Sequence, residues 1–133
     1  MSELTARMWL NAMTESITRR DLAAHMALVS RNVQVYGLPG DRTIDYEGWH
    51  KRRRNELRKG LLASLTYSDL SIHQITLRRI RFKVTETMTA ANGACVIIDK
   101  DIIIEQEDGE HWRVVEENIN HWEHGGTQKH NVG

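Results

Sequence analysis

At 133 residues with 40% hydrophobic content, the chain is sized for one domain that removes roughly two-thirds of its unfolded surface from water. Lys plus Arg and Asp plus Glu stand at 18 each, so no overall field draws the protein to nucleic acid or to an anionic membrane. Cys95 is the single cysteine, in the apolar run ACVII, which excludes an intrachain disulfide and fits a small buried hydrophobe. No stretch reaches the roughly 20 apolar residues of a membrane span, and Glu3 and Arg7 interrupt any signal-like start, so a cytoplasmic protein is expected.

In chain order, Ser2 is placed to cap a first helix in which Leu4, Met8, Trp9, Ala12, Met13 and Ile17 form one stripe, ending near Ile17. Thr18 stands three residues before Asp21, a capping-box-like start for a shorter second helix with Leu22, His25, Met26 and Val29 on its inner side. Val33 and Val35 alternate with Gln34 and Tyr36. The Pro39-Gly40 turn then leads to Thr43–Tyr46, which predicts a short two-stranded ribbon. Asp45 caps a third helix, EGWHKRRRNELRK, which stops at Gly60.

The second half reads as an antiparallel meander, because Asn92-Gly93 and Asp108-Gly109 separate three long alternating runs, with strands near Tyr67–Leu77, Ile80–Ala91, Ala94–Glu107 and His111–Trp122. Strands of about a dozen residues exceed the usual five or six and must curl around something, for which the helices are the natural filling. The phase change from Leu70 and Ile72 to Ile75 and Leu77 predicts a bulge near His73 and Gln74. The expected division is one domain over residues 1–124 and a flexible tail over 125–133, where GGTQKHNVG has no periodicity.

This order of a helix pair, a short ribbon, a helix opening with GWH and a curved meander resembles the NTF2-like superfamily, also called the SnoaL-like or ketosteroid-isomerase-like cone fold. DLAAHMALVSRNVQVYG followed by YEGW carries most of the resemblance, which spans residues 4–123. It implies an α+β cone with the helices on the concave face of the sheet, a pocket for small apolar molecules, and a homodimer through the outer sheet face. Some members of the superfamily are isomerases, dehydratases, cyclases or epoxide hydrolases, and many are noncatalytic. The steroid-isomerase base would fall where this chain has Tyr36 and Gly37, and its helix-borne tyrosine where it has Trp9 and Met13. The carboxylates nearest the buried acid of those enzymes are Asp99 and Asp101.

Polar groups that interrupt apolar faces supply the site candidates. Glu86 shares a strand face with Ile80, Phe82, Val84, Met88 and Ala90, so it is read either as a pocket carboxylate with a raised pKa, fit for acid–base work, or as the partner of an arginine. Asp99 and Asp101 share a face about 7 Å apart, with Lys100 opposite, and are read as an acid–base pair or as a solvated strip. On the last strand Trp112 and Val114 share a face with Glu116, Asn118, Asn120 and Trp122, a gradient that suits a pocket floor or an interface edge. Trp49, Arg53 and Leu57 line one helix face, where Arg53 is placed to hold an acidic ligand or to pair with Glu86 or Glu116. His73 and His50 are further candidate proton carriers, and Tyr36 and Trp49 candidate pocket walls.

The basic run KRRRNELRK is interleaved with Glu56 and reads as a solvated helix face rather than a phosphate-binding surface. His121, His124 and His130 lack the spacing of a zinc site, and neither a metal nor a cofactor is expected. The functional expectation is a small-molecule-binding cone, acting on a largely apolar substrate by acid–base chemistry through Glu86, Asp101 or His73. The alternatives are a noncatalytic binding module and an interaction protein whose cone is filled by its own side chains.

Overall fold

The computed structural model describes the backbone of residues 2–126, as α1 (Ser2–Thr18), α2 (Leu22–Met26), β1 (Val29–Tyr36), α3 (Tyr46–Arg58), β2 (Ser64–Thr76), β3 (Arg79–Thr89), β4 (Ala94–Glu107) and β5 (His111–Gly126). The expected Ser2 cap and the tail from residue 127 lie outside the described side chains and residues. Among the described residues no helix is long and apolar enough to cross a membrane.

The five strands form one sheet in the order β1-β5-β4-β3-β2, antiparallel throughout except that β1 runs parallel to β5. The ribbon expected after the helix pair shrinks to a single bridge, Val35 to Ile44, and β1 pairs in parallel with β5. Residues 125 and 126, expected in a tail, extend β5 and pair with Cys95 and Ala94. Asp21, rather than Thr18, caps α2 by accepting from the Ala24 amide, while Thr18 still belongs to α1. Asp45 caps α3 through the Gly48 amide, and Gly60 follows the helix at φ 72°.

One face of α1 enters the cone. Ala6, Trp9, Leu10, Met13 and Ile17 are buried, whereas Leu4 and Met8, expected on the same stripe, are about 60% exposed. The inward stripe is thus turned by part of a helical step, and it packs on the inner face of the sheet, where Trp9 meets Phe82 edge-on at 6.3 Å. Ile80, Phe82 and Val84 of β3 lie beside Ile104, Ile102 and Lys100 of β4, so a dry core fills this end of the cone. α3 closes the side with Trp49, Arg53 and Leu57 turned inward. Arg20 ties α1 to α3 by donating to the Leu57 carbonyl at 2.8 Å, in the last turn of α3.

Bulges set the curvature and decide which residues face inward. In β2, extra residues fall between Ser68 and Ser71, where Asp69 takes φ 57°, and at His73 as the sequence pattern predicted. In β5, Val115 and Asn120 are each unmatched on β4 and each flips the alternation. Gly37 then lets the chain leave β1 across the top of β5. Its φ is 88°, and a Cβ there would overlap the Ile119 carbonyl oxygen.

A core position of the sheet and an exposed position in the β2–β3 turn should respond very differently to truncation. Phe82→Ala is expected to lower the unfolding free energy by about 3–5 kcal/mol, against less than about 0.5 kcal/mol for Leu77→Ala, whose side chain is 88% exposed. Urea denaturation of the two variants measures the difference.

Candidate functional site

Where α1 no longer fills the cone, a cavity of about 510 Å³ opens between α3, the β1–α3 connection and the far ends of β3, β4 and β5. Val35, Ile44, Met88, Ile98 and Ile119 supply apolar wall, and the half-exposed Leu61 and Trp122 also line it. Its polar groups are Arg52, Arg53 and Glu56 from α3, His124, and a pair from the sheet, Lys100 and Glu117.

Lys100 is the centre of the arrangement. Its Nζ donates to Glu117 Oε1 at 2.9 Å and forms an ion pair with Glu86 Oε1, also at 2.9 Å. Tyr67 donates its hydroxyl to the other Glu86 oxygen at 2.8 Å. All three charged side chains are buried, Lys100 4% exposed, Glu117 2% and Glu86 0%. Taking a lysine out of water lowers its pKa, but Glu117 and Glu86 overcome that penalty and hold it above its usual value. Burial likewise pushes the Glu86 carboxyl up, and Lys100 and Arg53 outweigh it, leaving the group below its ordinary value. The raised pKa expected for Glu86 is thereby corrected, and its direct partner is a lysine rather than an arginine. Tyr67 is raised well above a free phenol by burial and by Glu86, so it serves as a donor.

A second network fixes the α3 wall. Trp49 Nε1 and Arg53 Nε both donate to His25 Nε2, at 3.0 and 3.3 Å. That nitrogen must then carry a lone pair, which places the ring proton on Nδ1, 3.2 Å from Ser16 Oγ, whose own hydroxyl donates to the Met13 carbonyl at 2.8 Å. Burial, and then Arg53, lower the His25 pKa to about 3. A neutral imidazole thus joins α1, α2 and α3, and the Arg53 guanidinium is completed by Glu56 Oε1 at 2.8 Å.

Of the residues singled out in the sequence, Trp49 and Arg53 line the cavity, as does Trp122 of the face read as a pocket floor, and Glu86 lies behind Lys100. The other named site candidates point elsewhere. Asp101 has the opposite strand parity to Lys100 and stands on the outer face, 4.0 Å from Arg81. His73 is the exposed bulge residue of β2. Tyr36 is 40% exposed and shares the outer face with its partner Asn118, which donates to Glu116 at 2.9 Å. Glu116 and Asn118 were expected inside from strict alternation after Val114. The bulge at Val115 sends them outward and brings Glu117 and Ile119 in.

Four side chains of these two networks escaped the sequence reading: His25, Tyr67, Lys100 and Glu117. Lys100 carried a readable signal, since it interrupts the period-2 stripe Ile98, Ile102, Ile104 as Glu86 interrupts its own. Among the described residues no group of His, Cys, Asp or Glu is gathered as a metal site. His124 lines the cavity, His121 has the opposite parity beside Asp99, and His130 lies outside the described residues.

A curved five-stranded sheet around helices, with an open pocket between them, defines the class as an α+β NTF2-like cone fold, and the comparisons with solved structures agree. An NTF2-like protein of unknown function from Shewanella oneidensis superposes with a TM-score of 0.74 at 11% identity, covering 90% of this chain and 98% of the other. A putative scytalone dehydratase from Novosphingobium aromaticivorans gives 0.69 at 9% identity over 92% and 86% of the two chains. A type 2 hexachlorocyclohexane dehydrochlorinase gives 0.64 at 13% identity over 95% and 90%. No family model matches the sequence, and no curated protein matches it. The chain has the NTF2-like fold, and at these identities the likeness is one of fold.

The His25 network carries a pH signature. Because the folded pKa lies below the unfolded value of 6.5, the unfolded chain binds the extra proton between about pH 6.5 and about pH 3. The stability contributed by neutral His25 is complete above pH 6.5 and falls as pH drops through that window. Its slope should approach about 1.4 kcal/mol per pH unit near pH 5. Denaturation of the wild type and of His25→Gln across this range should show one fewer proton taken up on unfolding in the variant. Equal uptake would contradict the assignment.

Proposed function

We propose that the protein binds a small, largely apolar molecule in the cone and that Lys100 and Glu117 act on its polar end as a proton-transfer pair. One observation carries this reading: a buried ammonium and a buried carboxylate, 2.9 Å apart, line an otherwise mostly apolar cavity large enough for a small organic molecule. In that setting the carboxylate takes a proton from the bound molecule while the fixed positive charge beside it stabilises the negative charge that develops. Little rearrangement is needed, because Glu86 and Tyr67 hold Lys100 from behind and His25 holds the α3 wall. The names of two structural neighbours, a putative dehydratase and a dehydrochlorinase, are compatible with proton-transfer chemistry in such a cone.

The residues assigned to this role differ in part from those the sequence put forward. Glu117 and Lys100 stand where Asp101 and His73 were expected, Glu86 becomes the support of Lys100, and Arg53 and Trp49 remain as wall. For the outer face we propose a homodimer. Ile97, Ile103 and Val115 lie between the strand threonines and charges there, and sedimentation showing only monomer at micromolar concentration would reject it.

Methyl NMR with 2-tetralone, a bicyclic ketone that fits the volume, tests binding and chemistry together. Binding should shift the Met88, Ile98 and Ile119 methyl signals, and deuterium should enter the carbon next to the carbonyl faster than in buffer. Glu117→Gln should lower that exchange by at least about 100-fold and leave the methyl shifts in place. Shifts without exchange would reduce the reading to a binding module, and no shifts at all would reject the cone as a ligand site.

A further inference from the structure

We infer that the molecule held in this cavity carries an acidic group at its outer end, such as a carboxylate, which stays at the mouth against Arg52 while the apolar body lies inside. The inference rests on the binding reading above and narrows it to a ligand class.

It follows from which charge of the lining a ligand can reach. The Arg52 side chain is 46% exposed, against 16% for Glu56 and 8% or less for Arg53, Lys100 and Glu117. The buried charges are already engaged, Arg53 with Glu56 at 2.8 Å and Lys100 with Glu117 and Glu86 at 2.9 Å. A ligand charge brought among them would break one of these pairs or stay buried without a partner. With Glu86 included, three cations meet three carboxylates, so the total favours neither sign and position decides. The accessible member of the set is a cation.

Arg52 is also the least engaged of the three cations. Its Nη2 is 3.9 Å from Glu56 Oε2, beyond hydrogen-bond distance, while the other oxygen of that carboxylate accepts from Arg53. So exposed and long a pair contributes little, and its guanidinium can take a ligand carboxylate without stranding a protein charge.

The apolar part of the mouth points the same way. Leu61 and Trp122 line this cavity and are half exposed, two large apolar side chains left open at its edge. Apolar surface kept at a cavity edge suits a ligand that extends outward from the interior. His124 meets Trp122 edge-on at 5.5 Å, and among the described residues Glu56 and Glu117 are the only carboxylates of the lining. The stem of the ligand thus crosses Leu61 and Trp122, and its charged end meets Arg52 in solvent. The run KRRRNELRK, read from sequence as a solvated face, gives one residue to the site, and the anion-holding role expected of Arg53 falls to its neighbour.

Isothermal titration calorimetry at pH 7 and low salt tests the assignment with 4-phenylbutanoate, its methyl ester and 4-phenylbutylamine. The acid should bind about fivefold or more tighter than the ester and the amine, and added salt should shrink that advantage. Arg52→Gln should bring the acid down to the level of the ester. The ester should keep its wild-type affinity, which shows that the variant is folded and its cavity open. An acid that binds no tighter than the ester or the amine would overturn the assignment and leave the cone-binding reading intact. The same holds if the acid keeps its advantage in Arg52→Gln, or if acid and ester weaken there equally. Failure of all three probes to bind would overturn both.

Discussion

Everything at the open end of this cone depends on one buried contact set, Lys100 between Glu86 and Glu117. A lone charge at any of the three positions would face a large desolvation cost. Lys100 and Glu86 hold one another ionised, as the directions of their pKa shifts express. The triad also marks a boundary. On one side Trp9, Phe82, Met13 and the isoleucines pack into a dry core. On the other the helices withdraw and the cavity opens.

Such a boundary is costly compared with an apolar one, since well-packed hydrophobic residues commonly replace a buried ion pair with no loss of stability. Its retention here makes sense as a positioning device. Tyr67 and Glu86 fix Lys100 from the sheet side, and Ser16, His25 and Glu56 fix Trp49 and Arg53 from the helical side. The two networks come from different elements and meet at the cavity. The side chains they hold therefore stand at the cavity with their rotamers already set.

The fold was legible because its signals are local. Turn dipeptides, alternating strands, the Asp45 cap and the Gly60 stop each act within a few residues, and Ala94–Glu107 matches its predicted strand. The site was less legible because it depends on register. A bulge costs one residue and leaves little trace in hydrophobicity, yet the one at Val115 reverses every later side chain until Asn120 reverses them again. Strict alternation after Val114 therefore named Glu116 and Asn118 in place of Glu117 and Ile119. Glu86 was found because β3 contains no bulge against β4. Lys100 sat in an equally regular stripe, but the flanking pair Asp99 and Asp101 drew attention to the wrong face. His25 could not be weighted from sequence, since its meaning comes from Ser16, Trp49 and Arg53, brought together only by tertiary packing.

The claim that the triad is a mutually dependent charged unit is tested most directly by the unfolding free energies of Lys100→Met and of Lys100→Met combined with Glu86→Gln and Glu117→Gln, measured at pH 7. The single variant leaves two carboxylates buried without their cation and should lose about 3–5 kcal/mol, whereas the triple variant, with no charge left to strand, should recover a large part of that loss. A triple variant that is less stable than the single one by the sum of independent losses would show that the three residues act separately, and would contradict the account.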